Sequence, residues 1–250
     1  MNQATKKKTE VLKKVPETED VVSVYLAKPK EERFKSYRPG QFASLRIKNN
    51  DSWSEAHPFT ISCAPGDDYL RLTVKKAGDF TQALHDLETG QEVEISGPFG
   101  SFCQKIEYQD PIVMIAGGVG ITPFLSVLRH FAEEGSNKSL TLFWCNQTRK
   151  NIFAEDELSS FISRLNLRIV HVLSREKNVP QERQADGRIA FEQGHIDREI
   201  IARHCDPTQS AIYLCGPPGM QDSVLEELQT LGINPDRVDR ESFVYTRRAP

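Results

Sequence analysis

From Thr9 to Pro98 the apolar residues recur in short runs, Val21–Leu26, Phe42–Ile47, Leu70–Val74 and Val93–Ile95, several of them alternating with a period of two. Between them lie Arg38-Pro39-Gly40, Asn49-Asn50-Asp51, Ala64–Asp68 and Thr89-Gly90, each with turn chemistry. Short strands at this spacing predict a small antiparallel β-barrel. One helix interrupts it, from about Phe80 to Leu87, with Asp79 placed as its cap. After Gly97-Pro98-Phe99-Gly100, read as a loop between domains, the pattern changes. Strand runs at Ile112–Ala116, Leu140–Cys145, Leu167–Leu173 and Ala211–Cys215 alternate with helical spacing at Thr122–Glu134, Glu155–Arg164, Asp197–His204 and Gly219–Leu231. That alternation predicts a parallel sheet wrapped by helices.

The stretch from Pro111 to Phe124 organises the second half. An unbroken apolar run ends at Gly117, Gly118 and Gly120, and helical spacing begins directly after them. The glycines let backbone approach a ligand closely, and the unpaired amides of the helix start favour a phosphate. Pro123 stands at the last glycine position of a dinucleotide fingerprint, and no acid follows the next strand for the ribose, so the stretch alone proposes a nucleotide site without naming it. In a parallel sheet, ligands bind outside the carboxyl ends of the strands. Those ends hold Gly117–Gly120, Asn146–Arg149, Ser174-Arg175 and Cys215–Met220. Ser174 and Arg175 pair a hydroxyl with a guanidinium, which suits a phosphate dianion. Cys215 ends a buried strand with no histidine near it in sequence and reads as a small apolar residue, not a nucleophile.

In the first half, His57-Pro58-Phe59-Thr60 places an aromatic beside hydroxyls on an extended segment, and Val74–Thr81 runs from a strand end into the helix start. Together they offer a ring-stacking surface next to a phosphate site.

Composition narrows the partners. The 250 residues carry a formal charge of -3 with basic and acidic residues interleaved, so no surface for nucleic acid or membrane is declared. The five cysteines are far apart and form no metal-binding pair, which predicts no metal and a reducing compartment. No run approaches the length that spans a bilayer, and the chain reads as cytoplasmic.

Taken in order, His57-Pro58-Phe59-Thr60, Gly78-Asp79-Phe80-Thr81, Gly97-Pro98-Phe99-Gly100, Gly117–Pro123, Cys215–Met220 and Glu241-Ser242-Phe243 resemble the ferredoxin-NADP reductase superfamily over nearly the whole chain. The His-Pro-Phe-Thr version, followed by Asp67-Asp68-Tyr69, is similar to the flavin modules of ferric reductases and NADPH oxidases. The resemblance implies two domains, an FAD-binding antiparallel β-barrel over residues 1–106 and an α/β parallel-sheet NAD(P)-binding domain over 107–250. By position, Phe59 would lie against the isoalloxazine and Thr60 would hydrogen-bond its N5 edge, within His57-Pro58-Phe59-Thr60. Val74, Lys75, Gly78, Phe80 and Thr81 would surround the ribityl and pyrophosphate part. Gly118, Gly120 and Thr122 would receive the pyrophosphate of the nicotinamide nucleotide, Ser174 and Arg175 its adenosine phosphate, and Cys215, Gly216 and Pro217 its nicotinamide end. Glu241 and Phe243 match the terminal acid and the aromatic on the flavin's second face. Thr60, Cys215, Glu241 and Phe243 would be the catalytic set. His57 and Phe59 stand where the superfamily more often has arginine and tyrosine.

The implied activity is hydride transfer from NADPH, or NADH, to FAD, with FMN an alternative flavin. Electrons would pass to a separate acceptor, a protein or a small molecule, and docking on a membrane haem protein is one option. The alternatives are the reductase component of a multicomponent oxygenase or redox complex, and a non-catalytic flavin- or nucleotide-binding docking module.

Overall fold

In the computed structural model the described residues are 6–49, 52–179 and 186–242. Strands β1 (Lys7–Pro16), β2 (Val21–Ala27), β3 (Phe42–Asn49), β4 (Ser52–Trp53), β5 (His57–Thr60), β6 (Tyr69–Lys75) and β7 (Glu92–Phe99) form an antiparallel sheet, with the short helices α1 (Glu32–Lys35) and α2 (Asp79–Asp86) between them. The order is β4-β3-β7-β1-β2-β6, and β5 pairs with β3. Just past β5, Ile61 bridges to Leu72 of β6 and closes the sheet on itself as a barrel. Inward residues such as Val24, Leu26, Leu45, Leu70, Leu72 and Ile95 fill it. Their period of two is the barrel's inside face.

The second layer holds β8 (Ile112–Gly117), β9 (Leu140–Asn146), β10 (Leu167–Leu173), β11 (Ile189–Gln193), β12 (Ala211–Gly216) and β13 (Val238–Ser242). Helices α3 (Thr122–Glu133), α4 (Glu155–Arg164), α5 (Arg198–His204) and α6 (Pro218–Thr230) alternate with them. The strands are all parallel, in the order β11-β10-β9-β8-β12-β13. The chain therefore builds outward from β8 to one side, then crosses to the other. The reversal lies between β8 and β12, which is where such a sheet opens a crevice for a ligand. One face of the sheet packs on α3 and α4 through Leu142, Trp144, Phe124 and Phe161. The other packs on α5 and α6 through Phe143, Val170, Ile201 and Leu228.

Two local expectations are corrected. Gly97-Pro98-Phe99 is not an interdomain loop: it finishes β7, and Phe99 pairs with Phe42 of β3. Asp79 is not the helix cap: Gly78 holds that position, and Asp79 lies in the first turn, where its charge complements the dipole. Strands β1, β11 and β13 carry no clear apolar alternation and are held by their neighbours. No described helix is long and apolar enough to cross a membrane, and no group of metal-ligating side chains occurs among the described residues.

Candidate flavin and nicotinamide nucleotide site

On the barrel side, β5 carries His57 and Phe59 on one face and Thr60 on the other. The ring of Phe80, from the first turn of α2, lies over both: 3.8 Å from His57 at 24° and 6.0 Å from Phe59 at 14°. The three rings form a stack that a flat heterocycle can extend. Burial holds His57 below the ordinary imidazole value. Thr60 is buried, and its Oγ1 has no hydrogen-bond partner among the described residues. Leaving a buried hydroxyl unpaired costs about 1–3 kcal/mol, a cost that a ligand atom removes. This orphaned hydroxyl, on the residue next to Phe59, fits a flavin edge.

The start of α2, the candidate phosphate end of this face, is shaped by Thr81. Its hydroxyl accepts from the amides of Ala77 at 2.8 Å and Gly78 at 2.9 Å, and donates to the Gly78 carbonyl at 2.8 Å. Thr81 thus fixes the turn, and what the segment offers a pyrophosphate is the backbone of the α2 start. A Cβ at Gly78 would meet nothing within 4 Å, so the approach is open. Val74 is buried, and Lys75 pairs with Asp20 at 3.0 Å.

On the sheet side, Gly118–Ile121 makes a 3-10 turn between β8 and α3. Gly118 has φ +53 and open space around it, a conformation that favours glycine. Its carbonyl accepts from Trp144 Nε1 at 2.9 Å. Gly120 answers a different need: a Cβ there would lie 2.3 Å from the Cys215 carbonyl oxygen. The turn can sit against β12 only because that atom is missing. Thr122 is committed within the turn, its hydroxyl and its amide both donating to Val119 O.

Cys215 pairs in register with Ala116 of β8 and with Glu241 of β13. Its side chain is fully buried, and burial first, then the Glu241 charge, pushes the thiol well above its ordinary value. The Glu241 carboxyl is raised to about 7 by burial, with Asp239 adding to it, and its Oε2 is buried without a partner among the described residues. Asp239 itself accepts from the Cys103 amide at 3.1 Å. Gly118, Gly120, Thr122, Cys215, Gly216, Pro217 and Glu241 therefore form one cluster at the switch point. Ser174 and Arg175 lie further along the same edge, where their amides bond to Asn146 O at 3.0 Å and Gln147 O at 2.7 Å. The Arg175 side chain is exposed. Phe243 lies outside the described residues.

Gln221 escapes a reading of the sequence. Buried on α6, it donates from Nε2 to both Gly216 O at 2.9 Å and Glu241 O at 2.8 Å, joining the ends of β12 and β13. Its one signal is a polar residue at a core position, in line with Val224 and Leu228. Asn146, buried at the end of β9 with an Nδ2 that has no partner among the described residues, is a second such residue.

Comparison with known proteins agrees with this geometry. Residues 1–120 match the family model of an FAD-binding domain, and residues 114–226 that of an oxidoreductase NAD-binding domain. The chain is similar to the reductase component of propane 2-monooxygenase from Rhodococcus jostii (strain RHA1), 32% identical over 240 residues, covering 94% of this chain and 63% of that one. The corresponding protein of Mycolicibacterium goodii is 33% identical over 242 residues, covering 94% and 67%. The chain thus spans about two thirds of the length of these relatives. Among solved structures, the FAD/NAD-binding domain of nitric oxide dioxygenase from Vibrio cholerae O1 biovar El Tor superposes with a TM-score of 0.80 at 24% identity, covering 94% of this chain and 98% of that one. A flavin-type barrel, a switch-point crevice and these two family matches place the chain in the ferredoxin-NADP reductase superfamily of FAD-dependent NAD(P)H reductases.

Proposed function

We propose that this chain takes reducing equivalents from NADPH through FAD and hands them to a separate acceptor protein. The observation that carries the reading is the Thr60 hydroxyl on one layer and the Glu241 carboxyl on the other, each buried without a partner among the described residues; we assign the first to the flavin edge and the second to the nicotinamide end. When bound, FAD supplies the chemistry, accepting a hydride and releasing electrons.

The residues supply position and charge. Phe59 and Phe80 give the flavin a flat apolar wall, and Thr60 offers its hydroxyl to the ring edge. Gly118 leaves room for the pyrophosphate of the nicotinamide nucleotide, Gly120 lets the turn that would receive it sit against β12, and Thr122 braces that turn. Cys215, Gly216 and Pro217 make a small, apolar floor for the nicotinamide end. Glu241, ionising near neutrality, can hold or release a proton at its carboxyl oxygen. Phe243, two residues on, is assigned as the aromatic that yields its place to the nicotinamide. Ser174 and Arg175 are assigned to the adenosine phosphate, which favours NADPH over NADH. The domain boundary is placed at residues 106 and 107, and the cell compartment is assigned as the cytoplasm.

For the acceptor, similarity to two oxygenase reductase components favours an oxygenase partner over a ferric or haem-type one. The test is NADPH oxidation by FAD-loaded protein with ferricyanide as an artificial acceptor. Turnover supports the reading, and an inert FAD-loaded protein contradicts it.

A further inference from the structure

A closed ring of polar contacts joins the two layers beside the proposed site. Within the barrel, the Ser62 amide donates to the Arg71 carbonyl at 2.8 Å. Arg71, on β6, sends Nη1 to Glu157 of α4 at 3.1 Å and Nη2 to Glu17 at 2.7 Å. Glu157 also takes the Nε–H of Arg129 from α3, and Arg129 Nη1 returns to the Ser62 carbonyl. Ser126, one turn earlier on α3, donates to the next carbonyl, Cys63 O, at 2.7 Å. Arg71 is only 3% exposed, which is rare for an arginine unless it is fully paired. The ring walls an interdomain cleft of about 570 Å³.

The contacts fall on the segments that carry the two halves of the site. Ser62 and Cys63 continue the backbone of Phe59 and Thr60. Arg129 lies two turns along α3 from Thr122, which braces the Gly118–Gly120 turn. A displacement of α3 along the barrel therefore moves the nucleotide turn relative to Thr60 by the same amount. We propose that Arg71, Glu157 and Arg129 form a latch that sets the approach of nicotinamide to flavin, acting as positioning residues for hydride transfer. This inference rests on the proposed reaction. It follows from the ring being closed: no single contact can lengthen without straining the other three, so two packed layers behave as one body.

The test uses the full FAD-loaded chain with Glu157→Gln, Arg71→Met and Arg129→Lys. Anaerobic stopped-flow mixing with NADPH reads the limiting rate of flavin bleaching and the apparent Kd separately. Hydrogen exchange without nucleotide reads the Ser62–Cys63 amides and the middle of α3. Glu157→Gln and Arg71→Met are expected to lower the limiting rate by on the order of 10- to 100-fold with the Kd within about threefold, because a small misplacement of reacting groups costs that much. Exchange should quicken at both segments, and Arg129→Lys, which keeps the charge, should recover part of the rate. Ser126→Ala, a milder change, should show the same pattern on a smaller scale if Glu157→Gln fails to fold. A wild-type limiting rate in these variants, or a loss confined to the Kd, overturns the latch. A wild-type flavin that NADPH never bleaches contradicts the proposed reaction instead, and the exchange measurement alone then decides on the latch.

Discussion

Cys215 and Glu241 stand side by side at the carboxyl ends of adjacent parallel strands, and the glutamate's buried oxygen has no partner among the described residues. A carboxyl in that setting is held protonated further up the pH scale than in water, because burial disfavours its charge and Asp239 adds to the effect. With its folded value at about 7 against an ordinary 4.5, Glu241 contributes stability that is complete below pH 4.5 and lost as pH rises through 7. The loss is at most about 3 kcal/mol, less with solvent screening. Between pH 5 and 8 the wild-type Tm should fall more than that of Glu241→Gln, and parallel curves would contradict the assignment. A limb near pH 7 in the rate of flavin reduction should disappear in the same variant.

Thr60→Val should separate stability from binding. Removing a buried hydroxyl that has no partner leaves the FAD-free protein as stable or more so, by up to about 3 kcal/mol, while the flavin loses a ring-edge contact. Tm without FAD and the FAD dissociation constant check both halves. A destabilised apo-protein with unchanged FAD affinity would show that Thr60 is structural.

Gly120→Ala tests the close approach of the turn to β12. A new Cβ at 2.3 Å from a backbone carbonyl oxygen cannot be relieved by a rotamer change. Overpacking of this kind costs about 1–3 kcal/mol and should displace the nucleotide turn as well. Tm and nucleotide affinity should fall together, and loss of neither would contradict the packing described.

Arg175→Ala should discriminate between the nicotinamide nucleotides. Loss of a charge-assisted contact to phosphate, about 1.5–3 kcal/mol, weakens NADPH by roughly 10- to 100-fold and leaves NADH within about threefold. Steady-state KM values for the two nucleotides measure it, and equal losses would place the phosphate elsewhere.

The central strands and the helices could be read from the chain because their signals are local. The run Ile112–Gly117 is buried throughout, and the helical spacing after Thr122 matches α3 closely. Edge elements were less legible. Val238-Asp239-Arg240-Glu241-Ser242 is a strand with one buried residue, held in place by β12 and by Gln221 from α6, so its own pattern says little. Arg71 is the sharpest case. In Leu70-Arg71-Leu72 it reads as the outward residue of an alternating strand, yet it is buried because Glu157, far away in sequence, reaches it from the other layer. Residue types announce which chemistry is available, whereas contacts made across the fold decide which groups are free to perform it. Thr81 and Thr122 show the same division: both sit at turns proposed to receive a ligand, and both spend their hydroxyls on the backbone of those turns.

The most direct test of the reaction is the visible absorption spectrum of the FAD-loaded protein before and after anaerobic NADPH. The proposed function predicts flavin bands that bleach on addition and return when an acceptor is admitted. A protein that binds no FAD, or whose bound FAD keeps its bands in the presence of NADPH, would contradict it.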